Sequence, residues 1–246
     1  LALLAFLFPG VARADERAVI GHSVDGRPIV LFSDSAAAPA LKVLVVGDIH
    51  GDEPAGMRIA RRLIAAAAPA RTELLVVPTI NPDGVAAGTR GNAHGVDLNR
   101  NFPYRWHPLG GGEYSGAGPL SEPESRAAQA LILRERPDLT IWFHQPFGLI
   151  DKPEGNPFAA HRFAQLIGLP LIRLRGRYPG SASRTQNHES PRSTAFVAEL
   201  PATVSPGLVR RATTAVRTLA AELASPQITR LQSANTPDRA RSSAAS

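Results

Sequence analysis

Apolar and polar positions change period repeatedly along the chain, and each change marks an element. Residues 18–23 and 28–33 alternate on either side of Asp25-Gly26, which predicts a β-hairpin. Residues 41–46 form a short, nearly unbroken apolar run, the pattern of a strand buried on both faces. It ends at Gly47-Asp48-Ile49-His50, and residues 54–68 then predict a helix with Pro54 in its first turn. A second strand is expected over 73–77, closed by Pro78. From residue 81 to 120 neither period is visible, and glycine, proline and polar residues dominate. A stretch of that length without regular structure inside a compact domain reads as a functional loop. Ser121-Glu122-Pro123-Glu124 is a capping box that opens a helix to Arg136. A strand over 139–143 runs into His144, a helix follows over 157–167, and further strands are expected over 171–174 and 195–200. Ser205-Pro206 starts a last helix that reaches Leu223. Strands and helices alternate without an internal repeat. The expected fold is therefore α/β: a single three-layer α/β/α domain over 15–224 around a central mixed, mostly parallel twisted sheet. The polar residues of interest fall at strand C-terminal ends, where open sheets of this kind place their sites.

Composition narrows this picture. The 246 residues are 43% hydrophobic and 20% charged, which supplies a core and excludes a chain disordered throughout. Cysteine is absent, and with it disulfide frameworks, thiolate zinc sites and cysteine nucleophiles. The net charge of +6 is carried almost wholly by arginine, since only Lys42 and Lys152 are lysines. Arginine's planar fork suits carboxylate and phosphate, which points to acidic substrates or an anionic matrix. The basic residues are scattered and aromatics are only 6%, so no surface for nucleic acid is expected. Residues 1–8 are uniformly apolar, and Ala12-Arg13-Ala14 follows Pro9-Gly10. That pattern reads as a partial signal peptide over 1–14, cut after Ala14, and predicts a secreted or periplasmic protein. The run is too short for a membrane span, which needs about 20 residues. Residues 225–246, rich in Ser, Ala, Arg and Pro, read as a disordered tail. A monomer is expected.

His50-Gly51-Asp52-Glu53 puts an imidazole and a carboxylate three positions apart at a strand-to-helix turn, close enough to share a metal ion. His144, at a later strand end, could supply a third ligand. Two neutral histidines and one carboxylate leave a bound Zn²⁺ positively charged with an open position, the arrangement of a hydrolytic centre. By itself H-x-x-E more often describes a polar helix cap than a metal site.

The surrounding motifs change that balance. Asn81-Pro82-Asp83-Gly84, Arg90, Gly95-Val96-Asp97-Leu98-Asn99-Arg100-Asn101-Phe102-Pro103, His144 and Phe196-Val197-Ala198-Glu199-Leu200-Pro201 follow one another in an order that resembles the zinc metallocarboxypeptidase family. The resemblance covers nearly the whole domain. The short chain, the phrase G-V-D-L-N-R-N-F-P and the later S-E-P-E are most similar to the family's murein-peptide amidase branch. That branch cuts the bond between γ-D-glutamate and diaminopimelate in peptidoglycan stem peptides. The resemblance implies a carboxypeptidase-like fold and one zinc per chain on His50, Glu53 and His144. It implies that Asp97 holds His50 by a hydrogen bond, that Asn99 and Arg100 grip a substrate carboxylate, and that Arg90 faces the scissile carbonyl. It also implies Glu199 as general base and Tyr178 as a tyrosine closing on a peptide or muropeptide. Three alternatives stay open: an ordinary carboxypeptidase, a zinc deacylase of the aspartoacylase and succinylglutamate desuccinylase type, and a non-catalytic wall-binding module. Tyr104 and Trp106 could wall the cleft or enter the core. Arg173, Arg175 and Arg177 alternate like one polar face of a strand that could meet an acidic stem peptide.

Overall fold

The computed structural model describes residues 16–176 and 178–226. The signal-peptide reading of 1–14, Arg177 and the tail beyond residue 226 lie outside them. Among the described residues eight strands form one sheet: β1 (Glu16–His22), β2 (Pro28–Ser35), β3 (Leu41–Val46), β4 (Thr72–Val77), β5 (Leu139–His144), β6 (Phe147–Asp151), β7 (Leu171–Ile172) and β8 (Thr194–Pro201). Their order is β1-β2-β4-β3-β5-β8-β6-β7. The centre, β4-β3-β5-β8, is parallel, and the hairpin β1–β2 and strand β6 add antiparallel pairs on either side. The sheet is mixed with a parallel core, as expected.

Two helical layers cover it. On one face α1 (Ala55–Ile64), α4 (Phe158–Ile167) and α6 (Pro206–Leu223) pack on Val43, Val45, Ile141 and Phe143. On the other, α3 (Pro123–Glu135) covers Leu44, Val46 and Trp142 through Ala127, Ala128, Leu131 and Ile132. Neighbouring residues of β3 and β5 thus enter opposite cores. Burial on both faces is why these strands read as apolar runs rather than as alternation.

Three elements are absent from the sequence reading, and two others, α1 and β7, end earlier than it expects. The long irregular stretch contains a short helix, α2 (Pro82–Ala87), and two 3-10 turns, Leu98–Arg100 and Gly111–Glu113. Asn81 caps α2 by accepting the Gly84 N–H at 2.9 Å, and Pro82 occupies its first turn. Six residues are too few to display a helical period. Strand β6 is not expected from the sequence, since five residues directly after Gln145-Pro146 are too few to show a period. Helix α5 (Ala182–Glu189) was missed because its sequence, ASRTQNHE, has no apolar stripe. Helix α1 ends earlier than expected, at Ile64, and the Ala68 N–H is given to the Asp34 carboxylate at 2.7 Å instead of continuing the helix. Strand β7 ends at Ile172, so Arg173 and Arg175 are not on a strand.

Candidate active site

The loop from β3 into α1 carries His50 and Glu53. Tight backbone packing holds it, for a Cβ at Gly51 would lie 1.9 Å from the Gly84 backbone. His144 is the last residue of β5, and the parallel register sets Glu199 of β8 directly opposite it. His50, Glu53 and His144 are buried, and their ligand atoms lie within 4.8 Å of one another. Both Nδ1 atoms face the same carboxylate: His50 Nδ1 is 2.8 Å from Glu53 Oε1 and His144 Nδ1 is 3.2 Å from Oε2. Each potential donor therefore points at one common centre, so the set fits a single zinc ion. The Gln145 N–H donates to Glu53 Oε2 at 2.9 Å and orients that carboxylate.

Asp97 stands behind His50. One carboxylate oxygen is 3.0 Å from His50 Nε2 and also accepts the Asn99 N–H at 2.9 Å, which caps the Leu98–Arg100 turn. The other accepts from Arg90 Nε and Nη2 at 3.0 and 2.8 Å. One buried residue thus holds the imidazole, shapes the turn and tethers Arg90. Arg90's remaining nitrogen, Nη1, lies 3.3 Å from both Glu53 Oε1 and His50 Nδ1, at the wall of the cleft.

Burial alone would raise Asp97, but the His50 hydrogen bond and the nearby Arg90 and Arg100 charges hold it far below the usual carboxylate range. Burial opposes a charge on His50, yet hydrogen bonds to Asp97 and Glu53 carry it up to about 9. His144 is pushed down by burial. Glu199 is pushed up to about 7 by burial and, next, by the negative charge of Glu53. Its Oε2 is buried without a hydrogen-bond partner among the described residues.

A cleft of about 610 Å³ opens over these groups. His50, Glu53, Arg90, Asn99, Arg100, His144, Tyr178 and Glu199 all line it, and Asp97 supports them from behind. The structure therefore brings together the nine residues that the family resemblance implies for the site, whereas Tyr104 and Trp106 stand apart from it. Arg100 is 4% exposed in its side chain and reaches the mouth, where Nη2 pairs with Glu113 Oε1 at 2.6 Å. Its Nε has no partner among the described residues. Asn99 Oδ1 accepts the Ala182 N–H at 3.0 Å and ties the turn to α5. Two guanidinium groups meet the Tyr178 ring, with the Arg100 and Arg184 carbons 5.2 and 5.1 Å from its centroid. Gly180 makes this approach possible: at φ +64° its Cα sits so close to the Arg100 carbonyl that a Cβ would meet the oxygen at 2.1 Å.

Tyr104 stacks on His188 and Trp106 donates to the Ser115 carbonyl; neither lines the cleft. Sequence reasoning missed Glu113, Asp151 and Arg184, which do. Glu113 sits in a glycine run and Arg184 in a polar helix, so no local pattern marked either one.

The zinc carboxypeptidase family (peptidase M14) matches residues 11–159. The chain belongs to that family. Murein peptide amidase A of Escherichia coli (strain K12) is 34% identical over 176 residues, which are 65% of this chain and 72% of that protein. The crystal structure of a murein-tripeptide amidase from Escherichia coli O157 superposes with a TM-score of 0.70 at 29% identity, covering 85% of this chain and 93% of that one. Carboxypeptidase A of Helicoverpa armigera, at 18% identity and a TM-score of 0.72, covers 85% of this chain and 68% of that one and shares the fold. As a zinc carboxypeptidase-family protein the chain is a hydrolytic metallopeptidase with zinc as cofactor. No described helix is long and apolar enough to cross a membrane.

Proposed function

We propose that this zinc peptidase cuts an amide bond in peptidoglycan stem peptides, that between γ-D-glutamate and diaminopimelate. The observation that carries the reading is one cleft holding the His50, Glu53 and His144 donors, the Glu199 carboxyl and the buried Arg100 guanidinium side by side. The similarity to murein peptide amidases supports the choice of bond. His50, Glu53 and His144 hold the ion, which when bound supplies a Lewis acid that acidifies water and polarises the carbonyl. Glu199 takes the proton of the attacking water and delivers it to the leaving amine, a transfer suited to an acid whose pKa lies near neutrality. Arg90, tethered by Asp97, stabilises the negative oxygen that develops on the scissile carbonyl. Arg100 and Asn99 bind the free carboxylate of the residue beyond the scissile bond, and Arg100 makes the charge-assisted contacts. Tyr178 closes over that residue. A wall substrate places the protein outside the cytoplasm, in keeping with the apolar run at residues 1–8 and Ala12-Arg13-Ala14.

The test is incubation of zinc-loaded protein with defined muropeptides and identification of the products by mass. Release of free diaminopimelate, whose carboxylate beside the cut bond is unsubstituted, is expected. Turnover only of acyl-amino acids, or only of ordinary C-terminal peptide bonds, overturns the assignment.

A further inference from the structure

The cleft contains a second charged constellation that the chemistry above does not use. Asp151 ends β6, and Arg184 lies in the first turn of α5. Both line the main cleft, and both also line a recess of about 260 Å³ that contains Lys152, Glu154, Arg173 and Arg175. Asp151 is held in place, since its Oδ1 accepts the Leu174 N–H at 3.0 Å. Arg184 is steadied by the face of Tyr178 at 5.1 Å and enters no ion pair among the described residues. An acid and a base therefore face one recess without neutralising each other by direct contact. Leu174 and Val197 line both cavities and give apolar wall where the two adjoin.

A recess with only a base would select an acidic side chain, and one with only an acid a basic side chain. This one offers both signs beside apolar wall. We propose that Asp151 and Arg184 form a subsite for a zwitterion at the end of an aliphatic side chain, on the residue that follows the scissile bond. Asp151 takes the ammonium group, Arg184 takes the carboxylate, and Leu174 and Val197 pack against the methylenes. This rests on the stem-peptide reading, because diaminopimelate carries a free amino-acid head of this kind at the far end of its side chain. The subsite is separate from the Arg100 grip, which reads the carboxylate nearest the cut bond. It explains how the cleft would distinguish diaminopimelate from lysine, which lacks the distal carboxylate, and from 2-aminopimelate, which lacks the distal ammonium.

The experiment measures kcat/KM of the zinc-loaded protein on three γ-D-glutamyl peptides, ending in diaminopimelate, lysine or 2-aminopimelate. The wild type should prefer the first by about 10²-fold or more over each of the others, because each analogue leaves one charged group of the site unpaired. Arg184→Gln should collapse the preference over lysine, and Asp151→Asn the preference over 2-aminopimelate, with zinc content retained in both variants. A side chain that merely supports the fold would lower all three rates together. Cleavage of none of the peptides by the wild type overturns the stem-peptide reading and the subsite with it. Cleavage of all three at equal kcat/KM, or equal losses across the three in both variants, overturns the subsite and leaves the bond assignment standing. The wild-type comparison decides the matter even if a variant fails to fold.

Discussion

Glu53 and Glu199 face the same cleft, yet their surroundings drive their proton affinities apart. Burial would raise Glu53, but hydrogen bonds from His144 and His50 keep it well below the ordinary carboxylate range. Glu199 accepts no hydrogen bond from an imidazole, only that of the Phe147 backbone N–H, and burial with the Glu53 charge pushes it up to about 7. One carboxylate is kept charged for a cation, and the other exchanges a proton near neutral pH. Glu199→Gln should therefore keep close to one zinc per chain while turnover falls by about 10²- to 10⁴-fold, the usual range for a lost acid–base group. Metal analysis beside kinetics checks this; loss of zinc would make Glu199 a ligand. Glu113 is the other informative residue. Its side chain is 56% exposed, and it sits on the guanidinium proposed to take the substrate carboxylate. It must be displaced before substrate binds there. Glu113→Gln should lower KM for a carboxylate-bearing substrate by about two- to fivefold, the scale of an exposed ion pair. A higher KM would mean that Glu113 positions Arg100 rather than competing for it.

At the scale of elements, Asn81-Pro82-Asp83-Gly84 shows how one motif serves two purposes. Asn81 and Pro82 start α2, while the Asp83 carboxylate reaches back to the β1–β2 turn. It accepts the Ser23 hydroxyl at 2.7 Å and the Asp25 N–H at 3.0 Å, and it pairs with Arg27. Burial raises the Asp83 pKa, but these three bonds outweigh it and hold the group below its ordinary value. An acid with a folded pKa below the unfolded one, about 4, contributes stability that is fully present above that pH and lost as pH falls through the folded value. Asp83→Asn should cost about 1–3 kcal/mol at pH 7, the scale of a broken buried hydrogen-bond set. The difference from wild type should shrink below about pH 4. Urea unfolding at pH 7 and pH 3 measures both, and a pH-independent difference would show that the charge plays no part.

Across the whole molecule, the donors for zinc come from two distant segments, the β3–α1 loop and the end of β5. A ligand that spans them binds the folded chain alone and stabilises it by mass action. At zinc 100-fold above Kd this is about 2.7 kcal/mol. For a domain of this size that corresponds to roughly 5–10 °C in Tm. Chelation should lower the wild-type Tm by that amount and leave His144→Ala, which binds little zinc, nearly unchanged. An unchanged wild-type Tm would argue against a shared ion. What the sequence determined by itself was the central strands, the main helices and the chemical identity of the site. Runs such as Leu41–Val46 record local burial directly, and His50, Glu53, His144 and Glu199 stand at strand ends that such runs delimit. The order of the strands, with β6 inserted antiparallel beside β8, was decided only by tertiary structure, because pairing partners leave no trace in a local period. The same holds for the meeting of Arg100 with Glu113, for Asp151 and Arg184 facing one recess, and for the opposed affinities of the two glutamates. Those are consequences of charges brought close by long-range folding, and their strength depends on burial that no short window of sequence contains.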